Sequence, residues 1–276
     1  MMGDGLGDNR MKYILTIAGS DSCGGAGIQA DIKTIFSLGA HALTAVTAIT
    51  AQNSQGIVET YDVPGRIVSL QIKTVIEDMF PHAVKIGMLH KSVIIREVAG
   101  AIKRHKLKRV ILDPVIRASA GGQLLEDSGI TMLKNHLLPL ATVITPNLYE
   151  AGRLAGHEVR NLDEMERAAR EIKDFGPHVV VTGGHLERNC IDVLYDGKEM
   201  YYLQGPKIET ANTHGSGCVF SASLATFLAM DYDIVEATRL AHNFTREAIV
   251  NSYPCGHGPG VVNPGYKRHS GRRGFK

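Results

Sequence analysis

Several features that would place this chain in a specialised class of protein are absent from its sequence. Its 276 residues include no tryptophan, and no apolar run approaches the length needed to cross a bilayer. The opening residues, MMGDGLGDNR, lack the apolar core of a secretion signal. Hydrophobic residues still make up 44% of the chain, enough for a large core. We therefore expect a folded cytoplasmic protein without a membrane partner.

Paired cysteines and a basic face are also absent. The four cysteines form no CxxC pair, which favours reduced thiols, and the 12 histidines show no zinc-ligand spacing. The net charge of +2 comes from residues 265–276, which carry five Lys or Arg and no acid. The rest of the chain is slightly acidic, whereas a nucleic-acid-binding domain shows its basic excess on the fold. We expect no nucleic-acid partner.

A lysine is missing from the segment ANTHGSGCVFSAS, residues 211–223, which otherwise resembles a phosphate loop of the Walker type. The apolar run after it predicts a helix, so its backbone N–H groups would form an anion site at a helix N-terminus. A thiol, Cys218, stands where the helix should begin. Such a position can lower the pKa of a thiol toward neutrality.

Short β-branched runs alternate with amphipathic patterns along the chain, which predicts βαβ units and a parallel sheet covered on both faces. The expected strands are 13–18, 43–49, 83–86, 109–112, 142–144 and 178–181, and the expected helices are 28–37, 66–79, 92–105, 128–137, 147–154, 162–174, 217–230 and 234–251. Residues 191–203 predict a hairpin with a type I′ turn at Asp-Gly. Ligands of such sheets bind at the carboxyl ends of the strands.

Glycines and amides follow the first three expected strands. AGSDSCGGAGIQAD, residues 18–31, permits close backbone approach to a ligand, although it does not fit the dinucleotide fingerprint and a simple turn is the alternative. Gln52 and Asn53 carry amides that could read the edge of a heterocycle, or form a turn before Gly56. Met88 could form the wall of a pocket, or pack in the core.

Acidic and phosphate-compatible residues follow the next strands. Asp113 could anchor Mg²⁺ or cap the next segment. Asn147 and Glu150 are three residues apart, on one face of a helix near its positive end, which suggests Mg²⁺-nucleotide binding. Thr182 and Gly184 suit a phosphate-bearing ligand.

Together these segments resemble the hydroxymethylpyrimidine/phosphomethylpyrimidine kinases of thiamine biosynthesis, in the ribokinase-like superfamily. The matching pieces are LTIAGSDSCGGAGIQADIKT, TAITAQNSQGI, KIGML, ILDPV, ITPNLYEA, VVTGGH and NTHGSGC. The resemblance implies a three-layer αβα sandwich with a mostly parallel central sheet, in one domain at 12–262 with flexible termini at 1–11 and 263–276. It implies phosphorylation of 4-amino-5-hydroxymethyl-2-methylpyrimidine, and then of its monophosphate, by a homodimer that uses ATP and Mg²⁺.

The resemblance also implies roles for single residues. They are a pyrimidine pocket of Gly19, Asp31, Gln52 and Met88, metal ligands Asp113 and Glu150, a nucleotide site of Asn147, Glu150, Thr182, Gly184 and Thr213, and a catalytic loop of Gly215, Ser216, Gly217 and Cys218. Cys218 replaces the aspartate base of many ribokinase-like enzymes. It is expected to be the general base or to position the substrate hydroxyl, and not to be a phosphorylated nucleophile.

One departure from the family pattern and three alternative functions bear on these expectations. After ILDPV the family often carries Lys-Ser-Gly or Thr-Ser-Gly, whereas this chain has Ser119-Ala120-Gly121, so any lysine contact to phosphate is lost unless Arg117 replaces it. A pyridoxal or pyridoxine kinase of the same superfamily is the nearest alternative, although Gln52 and Met88 favour an aminopyrimidine. A non-catalytic pyrimidine-binding sensor and a redox switch at Cys218 are the others.

Overall fold

The computed structural model describes residues 11–117, 122–184 and 190–266. The strands in these ranges are β1 Tyr13–Asp21, β2 His41–Asn53, β3 Gly56–Asp62, β4 Ala83–Ile86, β5 Val110–Leu112, β6 Val143–Ile144, β7 His178–Val181, β8 Cys190–Tyr195 and β9 Met200–Gly205. The α-helices are α1 Gly27–Ser37, α2 Gly65–Asp78, α3 Ser92–His105, α4 Asp127–Met132, α5 Leu148–Ala155, α6 Leu162–Lys173, α7 Ser216–Ala229 and α8 Ile234–Val250. The departure at Ser119-Ala120-Gly121, the first ten residues and most of the basic tail lie outside the described residues.

All these strands belong to one sheet in the order β3-β2-β1-β4-β5-β6-β7-β8-β9. The strands from β2 to β7 in this order run parallel. β3 joins one edge antiparallel to β2, while β8 and β9 extend the other edge antiparallel to their neighbours. Because the carboxyl ends of the parallel strands share an edge, the segments after β1, β2, β4, β5, β6 and β7 meet there.

Neighbouring side chains of each strand enter opposite faces of the sheet, as the two-residue period of a strand requires. On β1, Ile14 packs in a core with α1, α7 and α8, whereas Leu15 packs in a core with α2, α3 and α6. The protein is thus a three-layer sandwich with a mostly parallel sheet, and the predicted fold class is confirmed. Within the described ranges, no helix is both long and apolar enough to cross a membrane.

Two local features differ from the sequence-based expectations. β3 was not expected, because its side chains face solvent and leave no apolar run; Val58 is 83% exposed. Asn53 makes the turn before it, since its side-chain oxygen accepts hydrogen bonds from the N–H groups of Gln55 and Gly56. The predicted β8–β9 hairpin is present, but the prediction of a type I′ turn is wrong. Of its two central residues only Gly197 has a positive φ, and Asp196 instead accepts two N–H groups through its carboxylate.

Candidate active site

A cavity of about 1400 Å³ opens at the carboxyl edge of the parallel strands. Its volume exceeds what a single small ligand usually occupies, so it can hold two ligands end to end. The residues that the sequence assigned to the site and that line this cavity are Gly19, Gln52, Met88, Asp113, Asn147, Glu150, Thr182, Gly184, Thr213, Gly215, Ser216, Gly217 and Cys218. Arg117 also lines it. The strand ends therefore converge as the parallel topology predicts.

One end of the cavity, at the carboxyl ends of β1, β2 and β4, is lined by Gly19, Gln52 and Met88 and is called the slot below. A Cβ on Gly19 would lie 3.1 Å from Met88 Sδ, so a larger residue would require the Met88 side chain to shift. The backbone of Met88 is held in place, because the Thr47 hydroxyl donates a hydrogen bond of 2.6 Å to its carbonyl oxygen. Gln52 follows a bulge in β2, and its side-chain oxygen accepts from the Thr50 hydroxyl. The slot suits a flat ring whose edge bears polar groups.

Asp31 is not among the residues that line the cavity, and the role implied for it by the resemblance stays a prediction. Its side chain is fully buried under the sheet edge. Its Oδ2 accepts from the Thr16 hydroxyl at 2.5 Å and from Lys85 Nζ at 3.0 Å. Both contacts use Oδ2, whereas Oδ1 is buried without a hydrogen-bond partner among the described residues.

The acidic end of the site is built from the segment after β5 and the start of α5. Asn147 and Glu150 form a capping box: Glu150 donates its N–H to Asn147 Oδ1, and its Oε2 accepts the N–H of Asn147, both at 3.0 Å. Glu150 Oε1 also accepts the N–H of Ile116. Asp113 Oδ2 accepts the Ser221 hydroxyl at 3.0 Å. The three-residue spacing of Asn147 and Glu150 therefore has a structural role as well as a place in the cavity wall.

Both carboxylates are perturbed in the same direction. Burial and the charge of Asp113 raise the pKa of Glu150 to about 8, against the effect of its two backbone donors. Burial also raises the pKa of Asp113, although Lys85 and Ser221 oppose the shift. Two buried acids that disfavour each other's charge form a site that a cation would stabilise.

The first glycine loop, residues 22–27, folds around the carboxylate of Asp21. Asp21 Oδ1 accepts the N–H of Cys23, and Oδ2 accepts those of Gly25 and Ala26, over 2.8 to 3.1 Å. Oδ2 also lies 3.0 Å from His214 Nε2. The pKa of Asp21 is lowered, because His214 and these backbone donors outweigh the effect of burial. The donors of this loop are therefore already occupied.

The second glycine loop, residues 213–218, leads into α7. Gly215 is the N-cap with φ of +86°, and its carbonyl accepts the N–H of Val219. The N–H groups of Gly217 and Cys218 have no acceptor among the described residues. Two donors at the positive end of a 14-residue helix thus face the cavity. These donors lie within the segment 211–223, where the sequence predicts an anion site.

The two glycine loops are packed back to back. A Cβ on Gly215 would lie 1.9 Å from the carbonyl oxygen of Gly25, and a Cβ on Gly25 would lie 2.4 Å from His214 Cδ2. The sequence singled out both loops but gave no sign that they touch. Asp21 and His214, which connect them, were not assigned a role.

The environment of Cys218 contradicts the expectation of a lowered pKa. Burial raises the pKa of the thiol to about 12, and the charges of Asp31 and Asp113 add to this effect. Lys85 and the N–H of Gly27 act in the opposite direction but do not compensate. Burial outweighs both effects, so we expect the thiol of Cys218 to be neutral at physiological pH.

The far end of the cavity lies between β8, the segment after β9 and α8, and the sequence motifs did not indicate it. Its lining from α8 comprises His242, Thr245, Arg246 and Ile249, which share one helix face. Asp192 ties this end to the turn at 182–184: its Oδ1 accepts the N–H of Gly183 at 2.9 Å, and its Oδ2 lies 2.7 Å from His242 Nδ1. Because this face of α8 mixes apolar and polar residues, no sequence pattern distinguishes it from a helix face that packs in the core.

Comparison with known proteins agrees with this geometry. The sequence model of the phosphomethylpyrimidine kinase family matches residues 21–263. A hydroxymethylpyrimidine/phosphomethylpyrimidine kinase of Bacillus subtilis (strain 168) is 42% identical over 260 residues, covering 93% of this chain and 96% of that protein.

Two solved structures show the same fold. An ADP complex of Bacillus subtilis pyridoxal kinase superposes with a TM-score of 0.88 at 38% identity, covering 94% of this chain and 99% of the other. A phosphomethylpyrimidine kinase from Clostridium difficile 630 superposes with a TM-score of 0.77 at 38% identity, covering 86% and 99% of the two chains.

Proposed function

The chain belongs to the phosphomethylpyrimidine kinase family, and on this premise we propose that it phosphorylates 4-amino-5-hydroxymethyl-2-methylpyrimidine with ATP, and then converts the monophosphate to the diphosphate. The family and the kinase activity expected from the sequence motifs are confirmed. The observation that carries the choice of reaction is one cavity lined both by Gly19, Gln52 and Met88 and by Gly217 and Cys218, whose N–H groups have no acceptor among the described residues.

The slot of Gly19, Gln52 and Met88 is the proposed pyrimidine site. The carboxamide of Gln52 can both accept from an exocyclic amino group and donate to a ring nitrogen, which an aminopyrimidine offers side by side. The Met88 thioether gives the ring an apolar wall. A pocket that pairs both polar positions discriminates strongly against rings that lack one of them.

The remaining length of the cavity is the proposed ATP site. Thr182 and Gly184 on one side and Thr213 on the other line the approach to the second glycine loop. The far end with His242 and Arg246 is then left for the nucleoside. The Bacillus subtilis relative that was solved with ADP shares this fold over 94% of the chain, which supports binding of an adenine nucleotide by this chain.

Asp113 and Glu150 fit Mg²⁺ as a partner of the phosphates. Hard carboxylate oxygens are the ligands it prefers, and Asp113 Oδ1 has no hydrogen-bond partner among the described residues. No group of three or more His, Cys, Asp or Glu side chains in the described ranges could enclose a metal, so water and phosphate oxygens would complete the coordination. When bound, the ion would neutralise phosphate charge. Asp113→Asn is expected to raise the Mg²⁺ concentration needed for half-maximal rate at constant ATP.

Cys218 is the proposed positioning group for the substrate hydroxyl. A thiol with a pKa near 12 is a weak general base at neutral pH. Phosphoryl transfer through a loose transition state requires alignment and charge stabilisation more than a strong base. The thiol sulfur can accept the hydroxyl proton as a hydrogen bond, while the N–H groups of Gly217 and Cys218 stabilise the transferred group. Of the two roles expected from the sequence, the structure therefore favours positioning.

The reaction is tested by ³¹P NMR of mixtures containing the protein, ATP, Mg²⁺ and the hydroxymethylpyrimidine. The monophosphate should appear first and the diphosphate later, with ADP in proportion. Gln52→Leu, which removes both polar functions of the amide at similar size, should raise KM for the pyrimidine and leave KM for ATP unchanged. If neither phosphorylated pyrimidine forms with the wild-type chain, the proposed activity is refuted.

Pyridoxal phosphorylation is a second candidate, because a pyridoxal kinase superposes with a TM-score of 0.88 over nearly the whole chain. Pyridoxal is also a flat heterocycle that bears a hydroxymethyl group. Parallel assays with both acceptors at equal concentration discriminate between the two. A kcat/KM for pyridoxal above that for the pyrimidine would reverse the assignment.

We also propose that residues 12–262 act as one domain, that the chain works as a homodimer and that it resides in the cytoplasm. Continuity of the sheet from β3 to β9 supports the first point. All four cysteines are free thiols, which suits a reducing compartment. Sedimentation analysis of the purified chain tests the dimer.

A further inference from the structure

Lys85 is one of the residues that line the cavity, and the proposed mechanism does not use it. It stands on β4, between β1 and β5, and its side chain is fully buried. Its Nζ is 3.0 Å from Asp31 Oδ2 and 3.9 Å from Asp113 Oδ2. Lysines are almost never fully buried without such partners.

The ammonium of Lys85 is charged in this environment. Burial alone would lower its pKa, but the charges of Asp31 and Asp113 raise it above the usual range of a lysine. Asp113, a proposed metal ligand, lies 3.9 Å from the ammonium, and the charge of Lys85 also acts on the Cys218 thiol of the catalytic loop. The buried charge is therefore electrostatically connected to both sides of the transfer site.

Several neighbouring residues make room for Lys85 or hold it in place. A Cβ on Gly87 would lie 2.8 Å from its Nζ and 3.1 Å from the Cβ of Ala18, so the glycine after β4 gives the ammonium its space. The Thr16 hydroxyl donates to Asp31 Oδ2 at 2.5 Å and thereby fixes the carboxylate that holds the lysine. Thr16 and Lys85 are partners in the β1–β4 register. The cluster is a built arrangement on three adjacent elements.

We propose that Lys85 is a positioning residue for phosphoryl transfer. The second glycine loop contains no lysine, and Lys85 supplies the positive charge in its place. Held by Asp31, its ammonium restrains Asp113 and places a fixed charge under Cys218. Charge of this kind costs no reorganisation when the transferred group becomes more anionic, and it acts strongly where water is excluded. The inference rests on the proposed kinase reaction.

The test must separate a lost catalytic charge from a damaged core. Lys85→Met alone leaves Asp31 buried without its partner, so a lower Tm is expected whatever the role of Lys85. The double variant Lys85→Met/Asp31→Asn removes both charges and leaves side chains of similar size, so its Tm should recover. Asp31→Asn alone keeps the ammonium. Lys73→Met/Glu77→Gln, at an exposed ion pair of 3.6 Å, is the matched control.

Activity should depend on whether Lys85 is present, whereas stability should depend on whether each buried charge keeps its partner. In the double variant we expect kcat to fall about 100-fold, with KM for both substrates within about threefold, because the ammonium of Lys85 is held by Asp31 and Asp113. Asp31→Asn should retain kcat within about tenfold, and the exposed control should match the wild type. A double variant with both wild-type Tm and wild-type kcat would show that the pair is structural only and would overturn the inference.

A second readout keeps this inference distinct from the assignment of the substrate. Calorimetry measures ADP affinity with and without aluminium fluoride, which mimics the transferred phosphoryl group. The fluoride should tighten ADP binding in the wild type and in Asp31→Asn, but not in the double variant. If the wild type makes no pyrimidine phosphate while this gain persists and depends on Lys85, the substrate is wrong and the inference stands. Equal gains in all variants would refute the inference.

Discussion

The two glycine loops are similar in composition and lie against each other, yet their backbone donors are used in opposite ways. In the first glycine loop the N–H groups of Cys23, Gly25 and Ala26 donate to Asp21. In the second, those of Gly217 and Cys218 have no acceptor among the described residues. A glycine-rich segment can bind an anion only where its own side chains have not already taken its donors.

The difference gives the two loops different tasks. The first glycine loop is a folded support, closed by Asp21 and tied through His214 to the second. The second glycine loop keeps its donors for a ligand and depends on that support, because Gly215 touches the backbone of Gly25. Changes in the second loop should therefore affect turnover first, and changes in the first should affect stability first.

The largest effect is expected for Gly215→Ala, which breaks the contact between the loops. The alanine would have to adopt a φ of +86° and place its Cβ 1.9 Å from the Gly25 carbonyl oxygen. Strain and overpacking together should cost about 2 to 4 kcal/mol in the free energy of unfolding and remove most activity. Urea denaturation and steady-state kinetics measure the two effects.

Gly217→Ala is the matched control for Gly215→Ala. Gly217 has no positive φ, and a Cβ on it meets no atom within 4 Å. Its free energy of unfolding should equal or slightly exceed that of the wild type, because alanine favours the helix. If both variants lose stability equally, the close packing of the two loops is not what holds them.

The next effect concerns Cys218. Cys218→Ala should lower kcat about 10² to 10³-fold, because the hydroxyl loses the group that positions it, whereas Cys218→Ser should retain more activity. Since burial raises the pKa of the thiol to about 12, the thiol stays protonated below pH 9. The pH profile of kcat should thus have the same shape between pH 6 and 9 in the wild type and in Cys218→Ser.

A basic limb in that range that disappears in Cys218→Ser would show that the thiolate is the active form. Unchanged turnover in both variants would remove the catalytic role altogether. Circular dichroism of each variant excludes a change in fold as the cause.

The sequence predicted the convergence of the site well, because parallel strands deliver their carboxyl ends to one edge whatever their exact lengths. Gln52, Asp113 and Glu150 were found in this way. It could not predict which side chains lie beneath that edge. Lys85 is one lysine in a strand pattern, and only the packing of α1 and α7 over β4 shows that it meets Asp31 and lies near Cys218.

The expectation of a lowered pKa for Cys218 failed for the same reason. A helix start is visible in a sequence, but the burial that does most to raise the pKa of this thiol is not, and neither are the charges of Asp31 and Asp113, which are distant along the chain. β3 was missed because an exposed edge strand needs no apolar run, although the Asn53 turn and the β-branched residues after it are a usable signal. Motifs thus locate donors and acids, while their protonation depends on neighbours that only the fold brings together.

Asp21→Asn is expected to affect stability more than turnover. One oxygen of the carboxylate becomes an NH₂ group, which cannot accept the N–H groups that Asp21 now holds. The loss should be about 1 to 3 kcal/mol in the free energy of unfolding, with kcat reduced less than about tenfold. Asp127→Asn, at an exposed ion pair with Arg153, is the control and should change stability by less than about 1 kcal/mol. If Asp21→Asn instead abolishes turnover at unchanged stability, the first glycine loop contacts the ligand directly.

The smallest expected effect is the pH dependence of the stability lost in Asp21→Asn. Hydrogen bonds from His214 and the loop backbone, acting against burial, hold the pKa of Asp21 below its ordinary value of 3.8. A lowered folded pKa contributes stability that is fully present above the unfolded pKa and is lost as the pH falls through the folded one. The difference in free energy of unfolding between the wild type and Asp21→Asn should therefore shrink as the pH falls below about 4. A difference that stays constant down to pH 3 would mean that the charge of Asp21 does not hold the first glycine loop.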